Sequence, residues 1–109
     1  MIPMYNEIEN VGPMVARVHE GLASYNGDWE LLVVDDGSTD GTFEEVKILT
    51  ADYPLRTLRL SRNFGKEQAI MAGLHAAQGA IVATMDADLQ EPVETLGTMI
   101  AHLEDGFEV

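Results

Sequence analysis

Short apolar runs alternate with segments of helical period along the chain. Leu31-Leu32-Val33-Val34 and Ile81-Val82-Ala83-Thr84-Met85 are largely aliphatic or β-branched and lack polar alternation, the pattern of parallel strands covered on both faces. Both are expected to be central strands. Leu55, Leu58 and Leu60 interleave with Arg56 and Arg59, which predicts a strand with one face partly wet, nearer a sheet edge. Met1 to Met4 reads as the stub of a first strand. Four segments of period 3.6 lie between and after these runs. They are marked by Val11, Met14, Val15, Val18 and Leu22, by Phe43, Val46 and Leu49, by Ala69, Ile70, Gly73, Leu74 and Ala77, and by Leu96, Met99, Ile100 and Leu103, each set forming one apolar stripe.

Boundary signals agree with this alternation. Asn10 as N-cap would put Pro13 at the third helical position, where its missing N–H has no intrahelical acceptor. Thr39 or Asp40 is expected to cap the second helix, with Glu44 and Glu45 in its first turn favoured by the helix dipole. Pro92 and Glu94 open the last helix, Gly79 and Gly106 suit helix ends, and Asn26-Gly27-Asp28 is a turn signal. There is no internal repeat, low-complexity tract or linker. The order β-α-β-α-β-α-β-α with short connections predicts an α/β fold, an open parallel Rossmann-like sheet with helices on both faces.

Composition narrows the partners. The 109 residues, 46% hydrophobic, suit a single domain spanning 1–109. Nineteen acidic against six basic residues give a net charge of −13, a field that repels polyanions, so nucleic acid is not an expected partner. The absence of Cys removes disulfides, thiolate nucleophiles and zinc-binding thiolates. No stretch approaches the ~20 apolar residues of a membrane span, and no signal-peptide pattern opens the chain, so this stretch is expected to be soluble and cytoplasmic. Both ends nevertheless read as cut, because Met1-Ile2-Pro3 is short for a strand and Phe107-Glu108-Val109 begins a new apolar run.

Ligands of open parallel sheets bind beyond the carboxyl ends of the strands, and here those positions are rich in acids. Glu7, Asp35, Asp36, Asp86 and Asp88 are all expected at one sheet edge. Uncompensated carboxylates held together repel one another, and a divalent cation would resolve the conflict. In an extended Asp86-Ala87-Asp88-Leu89-Gln90, alternate residues present three oxygens to one side, a set suited to Mg2+ or Mn2+. The bland reading is a strand-to-helix turn in which Asp88 or Gln90 caps the helix after Pro92. Val33 through Thr42 is a strand-turn-helix elbow whose acids can accept hydrogen bonds from a base or sugar, or else an Asx-rich capping turn. It also imitates a calcium loop through Asp36, Ser38, Asp40 and Gly41, but the twelfth position is Lys47, where a bidentate Glu is required.

Ser61-Arg62-Asn63-Phe64-Gly65-Lys66 carries the one local concentration of positive charge. Arg62 and Lys66 suit a diphosphate beside a helix N-terminus, or simply offset nearby acids. No Gly-x-Gly-x-x-Gly or Walker lysine motif is present. His19, His75 and His102 fall on helices away from the strand ends and are assigned no chemistry. The six Met residues read as core filler, and Trp29 as packing. Tyr5, just beyond the first strand, is placed to stack on a base.

Four motifs in order, Ile2-Pro3-Met4-Tyr5-Asn6-Glu7, Val33 to Thr42, Ser61 to Lys66 and Asp86-Ala87-Asp88-Leu89-Gln90-Glu91-Pro92, resemble the nucleotide-binding half of an inverting GT-A glycosyltransferase of family 2. Within that family the sequence is most similar to the polyprenyl-phosphate sugar synthases, whose metal motif reads Asp-x-Asp-Leu-Gln. The resemblance spans essentially the whole chain. It implies that Pro3, Tyr5 and Glu7 line the base and ribose pocket, that Asp36 accepts from the nucleobase edge, and that Asp86, Asp88 and Gln90 hold Mg2+ or Mn2+ against the donor diphosphate. Arg62 and Lys66 would lie in a mobile loop near that diphosphate. The implied donor is a nucleotide-sugar, UDP-glucose on the pattern of residues 61–66, with GDP-mannose as the alternative. The implied acceptor is a polyprenyl phosphate, already anionic, so no residue is assigned as a catalytic base.

The resemblance also implies that acceptor-side segments, downstream catalytic residues and membrane-associated helices follow Val109. The whole protein is then expected at the cytoplasmic face of a membrane, and residues 1–109 alone are expected to bind the donor without turning it over. Two other classes compete. A nucleotidyltransferase would want a Gly-rich basic loop after the first strand, where Asn6-Glu7-Ile8-Glu9 is acidic. A non-enzymatic receiver-like signalling module fits Asp35, Asp36 and Lys66 but leaves Asp86, Asp88 and Gln90 unexplained.

Overall fold

The structure, a computed structural model, describes residues 1–23, 25, 28–77 and 82–85. Asp86, Asp88 and Gln90, the helix expected around 96–103, His102, the glycines at 79 and 106 and the Asn26-Gly27 pair lie outside the described residues.

Strands β1 (Ile2–Met4), β2 (Leu31–Asp35) and β3 (Leu55–Arg59) alternate with helices α1 (Ile8–Gly21), α2 (Thr42–Leu49) and α3 (Lys66–Ala76). The strands pair in parallel in the order β1-β2-β3, with Ile2 opposite Val33 and Leu31 opposite Leu55. The ladder continues past the strand ends, because the Asp36 N–H donates to the Met4 carbonyl at 2.8 Å and the Leu60 N–H to the Asp35 carbonyl at 2.9 Å. Strand β3 is an edge of the described sheet, as its interleaved arginines predict, and only Leu55 in it is buried.

The fourth apolar run lies along the other side of β1. The Met1 main-chain nitrogen donates to the Ala83 carbonyl at 2.7 Å, and the Met85 N–H donates to the Met1 carbonyl at 3.1 Å. The two bonds bracket Thr84, as in a parallel ladder. Burial on both faces does not hold for this run, since Val82 and Thr84 are exposed. Among the described residues no strand lies beyond it to extend the covered surface. The run forms no assigned strand, because β1 turns only Met1 towards it before Pro3 removes the next donor on that side.

Strand alternation divides the core. Ile2, Met4, Leu31, Val33 and Leu55 face α1 and α2, meeting Val11, Met14, Val15, Val18 and Val46, and Trp29 packs at this cluster's margin. Leu32, Val34 and Leu58 face α3 through Ala69. Two crossover helices on one face followed by one on the other reverse the direction of strand addition at β1. Such a switch point opens a crevice at the carboxyl ends of the strands. Helix α3 reaches the sheet because Gly73 has no side chain: a Cβ there would lie 2.8 Å from Met1 Cγ and Sδ and 3.0 Å from Val34 Cγ2. The outer residues of α3 differ from the core-filler expectation, Met71 being 52% and Leu74 45% exposed.

The start of α1 departs from the Asn10 cap. Glu7 is the N-cap and Pro13 lies inside the helix. An interior Pro costs ~3 kcal/mol, whereas Val11, Met14, Val15 and Val18 are all buried at ~1.5–3 kcal/mol each. Core burial wins, and the Glu9 position one turn before Pro13 is exposed to water.

Candidate functional site

The loops after β1, β2 and β3 emerge at one end of the sheet. Asp35 and Asp36 are adjacent, and strand alternation sends them to opposite faces. Asp36 turns towards α3. Its carboxylate accepts from the Phe64 N–H at 2.9 Å, the Gly65 N–H at 3.1 Å and Asn63 Nδ2 at 3.3 Å. It therefore holds residues 63–65 in place against the sheet. The same loop passes so close to Gly37 that a Cβ there would lie 2.2 Å from the Arg62 carbonyl carbon and 2.4 Å from the Asn63 nitrogen.

Asp35 is the last residue of β2 and faces α1 and α2, fully buried. Its Oδ2 accepts from the Ser38 N–H at 3.3 Å and lies 3.7 Å from Arg59 Nε. Its Oδ1 has no hydrogen-bond partner. Arg59 also spans the Phe43 ring at 4.8 Å and approaches Glu44 at 3.9 Å. The expectation of uncompensated carboxylates is thus corrected for this pair, because three donors satisfy Asp36 and a guanidinium neighbours Asp35. Asp36 is satisfied by the loop, whereas Asp35 keeps one buried oxygen, Oδ1, without a partner.

The loops after β1 and β2 are joined by their own set of bonds. The Asn6 N–H donates to Ser38 Oγ at 2.9 Å, and the Thr39 N–H returns to Asn6 Oδ1 at 2.8 Å. The Glu7 N–H donates to Thr42 Oγ1 at 3.0 Å and the Ile8 N–H to Asp40 Oδ2 at 3.3 Å. Asp40 Oδ1 accepts from the Thr42 N–H at 3.0 Å and from the Thr42 hydroxyl. Gly41, rather than Thr39 or Asp40, is the N-cap of α2, in a left-handed conformation; Asp40 still accepts from the N–H of the helix's first residue, and it also serves α1. The Thr42 hydroxyl holds the Asp40 carboxyl below the usual carboxylate range, with the Ile8 and Thr42 N–H groups acting in the same direction. Asn6 adopts φ 51°, a left-handed conformation that Asn tolerates better than most residues.

This leaves Tyr5 44% exposed at the end of β1, with Glu7 half-buried beside it. Pro3 lies in β1 opposite Val34. Arg62 stacks on the Phe64 ring at 4.2 Å, and Lys66 is the first residue of α3, not a loop residue. Pro3, Tyr5, Glu7, Asp36, Arg62 and Lys66 thus all lie on β1, at the carboxyl ends of the strands, or on the segment leading into α3. The oxygens of the calcium-loop lookalike diverge instead, Asp36 serving residues 63–65, Ser38 serving Asn6 and Asp40 serving Ile8 and Thr42. Among the described residues no group of three or more His, Asp or Glu side chains gathers to hold a metal. His19 packs against the rings of Trp29 and Tyr53 at 5.9 and 5.2 Å, two side chains at the margin of the core cluster. Asn6, Ser38, Asp40 and Thr42 as a joint between loops escaped sequence reasoning. Their partners are more than 30 positions away, and only the Asx and hydroxyl richness of 38–42 hinted at them.

A parallel sheet with its switch point beside β1, and acid-bearing loops at that point, defines an α/β protein of the open Rossmann-like class. The chain belongs to glycosyl transferase family 2, which it matches over residues 1–109. It is 42% identical over 106 residues to a dodecaprenyl-phosphate galacturonate synthase of Rhizobium johnstonii, covering 95% of this chain and 31% of that protein. It is 37% identical over 111 residues to an undecaprenyl-phosphate 4-deoxy-4-formamido-L-arabinose transferase of Salmonella choleraesuis, covering 100% of this chain and 34% of that one. The chain therefore spans about a third of the length of these relatives. Among solved structures it is similar to the mannosyltransferase PcManGT from Pyrobaculum calidifontis in complex with GDP-Man and Mn2+. The TM-score there is 0.82 at 30% identity, over 96% of this chain and 31% of that one. It also resembles S. aureus TarS, with a TM-score of 0.70 at 27% identity over 95% of this chain and 19% of that one. Membership of this family decides against the nucleotidyltransferase and signalling-module readings.

Proposed function

We propose that residues 1–109 are the donor-binding part of a larger catalytic domain that transfers a sugar from a nucleoside diphosphate to a polyprenyl phosphate. The observation that carries this reading is the likeness over 96% of the chain to a structure holding GDP-Man and Mn2+. The relatives that act on dodecaprenyl and undecaprenyl phosphate supply the acceptor class. In this reading Tyr5 stacks on the nucleobase, and Pro3 and Glu7 line the base and ribose pocket. Asp36 accepts from the base edge. An ionised carboxylate has about four acceptor positions, and the loop donors use three, so one remains for a base N–H.

Arg62 and Lys66 lie on the segment that would meet the diphosphate, where cationic side chains and the N–H groups at the start of α3 favour negative charge. Asp86, Asp88 and Gln90 follow Met85 directly in sequence and supply the hard oxygen donors that suit Mg2+ or Mn2+. When bound, the metal stabilises charge developing on the leaving nucleoside diphosphate. An acceptor phosphate oxygen attacks the anomeric carbon from the face opposite the leaving group. The new C–O bond forms as the bond to the diphosphate breaks, inverting the centre. Because the acceptor arrives anionic, no general base is assigned. Among the described residues no helix is long and apolar enough to cross a membrane; a lipid acceptor supports work of the whole protein at a membrane, which this reading puts at the cytoplasmic face.

Thermal unfolding tests donor binding. UDP or GDP with Mn2+, at a concentration of about 100 Kd, should stabilise by ~2.7 kcal/mol, a rise in Tm on the order of 10 °C for a domain of this size. Asp88→Ala should abolish the rise. The response to UDP against GDP distinguishes the UDP-glucose from the GDP-mannose donor. An unchanged Tm with both nucleotides at millimolar concentration would overturn donor binding.

A further inference from the structure

We propose that Asp40 and Thr42 are positioning residues for the donor pocket, holding the main chain of Glu7 and Ile8, and with it Tyr5, in the presentation a nucleoside diphosphate sugar requires. The inference rests on the donor-binding reading above. Helices ordinarily cap their own first N–H groups with the N-cap side chain. Here Glu7 is the N-cap of α1 and makes no side-chain cap bond. The N–H groups at the entry to α1 are instead met from Asp40 and from the first residue of α2: Thr42 Oγ1 accepts from the Glu7 N–H at 3.0 Å and Asp40 Oδ2 from the Ile8 N–H at 3.3 Å.

The polarity of this relay is fixed by chemistry. An ionised carboxylate only accepts, so the Thr42 hydroxyl donates to Asp40 Oδ1 and keeps its lone pairs for Glu7. Thr42 is fully buried, which confines its hydroxyl to these partners. Asn6, the hinge between Tyr5 and Glu7, is pinned from the loop that carries Asp40 by Ser38 Oγ and the Thr39 N–H. The consequence is that the carboxylate of Glu7 and the ring of Tyr5 carry none of the capping. Neither side chain is spent on the joint, while the main chain from Asn6 to Ile8 is held by it.

Misplacing reacting groups by about 1 Å costs up to about a hundredfold in rate, and hydrogen bonds to a bound base and ribose depend on alignment in the same way. The test measures Kd for UDP and for GDP with Mn2+, together with Tm without nucleotide, in the 109-residue chain and three variants. Thr42→Val removes the hydroxyl at nearly constant shape, and Asp40→Asn turns an amide donor towards either Ile8 or Thr42. Both are expected to weaken the bound nucleotide by about tenfold or more in protein that remains folded by circular dichroism. Thr42→Ser, which keeps the hydroxyl, should stay within about twofold of the wild type. A joint with a purely structural role would lower Tm while leaving Kd of the folded protein unchanged, and that result overturns the proposal. Should Thr42→Val fail to fold, Asp40→Asn, at an exposed position, decides alone. Absence of nucleotide binding by the wild type overturns the donor reading itself, and with it this role.

Discussion

Asp35 and Asp36 show how much a single step along a strand decides. One is sealed on the α1 and α2 face beside Arg59, the other closes the segment before α3 by accepting from Phe64 and Gly65. Between them and the next loop stands Gly37, at φ 73°, with the Arg62 and Asn63 backbone in the space of a Cβ. Gly37→Ala therefore meets two penalties together, a left-handed backbone and a clash with main chain that has no rotamer to escape into. The expected loss is more than about 2 kcal/mol, read as a lower urea midpoint, with faster hydrogen exchange at the Phe64 and Gly65 amides. Gly41→Ala is the control. Gly41 is also left-handed, at φ 95° and ψ 5°, but its missing Cβ would meet only the end of the Ile8 side chain, Cδ1 at 3.0 Å, so it should lose less. If the two variants lose equally, backbone conformation rather than the close approach of the loops sets the cost.

At the scale of elements, what was legible in the sequence is what local pattern determines. The unbroken run Leu31 to Val34 announced a strand buried on both faces, and the arginines of β3 announced an edge. The stripe of Val11, Met14, Val15 and Val18 announced α1, but not where it begins, because its first N–H groups are satisfied by Asp40 and Thr42, more than thirty residues away. No local signal encodes that. For the same reason the motif Val33 to Thr42 reads as a ligand site from sequence, while its division of labour stays hidden: Asp36 holds the 63–65 segment, Asp40 meets the start of α1, and Ser38 pins Asn6. Helix packing gives a paired prediction. Gly12 lies in the interior of α1 with nothing near its missing Cβ, whereas a Cβ on Gly73 would press on Met1 and Val34. Gly12→Ala should stabilise by about 1 kcal/mol through helix propensity. Gly73→Ala gains the same propensity, but overpacking typically costs ~1–3 kcal/mol. Met1 can swing aside and β-branched Val34 cannot, so a net loss of about 1 kcal/mol is expected. Chemical denaturation of both variants checks the pair, and a stabilised Gly73→Ala would mean that α3 can lift from the sheet.

At the scale of the whole molecule, the charge of −13 sets a problem for any diphosphate ligand. The proposed site answers it in two ways, both short in range. A divalent cation on Asp86, Asp88 and Gln90 would act locally, and Arg62 and Lys66 would act locally as well, while the repulsion from the remaining carboxylates is summed over the surface. Salt separates these contributions, since the screening length falls from ~30 Å at ~0.01 M to ~3 Å at ~1 M ionic strength. With Mn2+ removed by chelation, nucleotide affinity should be low at ~0.01 M salt and should rise towards ~1 M, because the long-range repulsion is screened while contacts at hydrogen-bond distance persist. With Mn2+ present the same titration should change affinity much less, since the local cation dominates. Isothermal calorimetry across that salt range, with and without Mn2+, reads both arms. A metal-free affinity that falls with salt would mean instead that Arg62 and Lys66 outweigh the surface field at the diphosphate, and that the acidic surface lies too far from the site to matter.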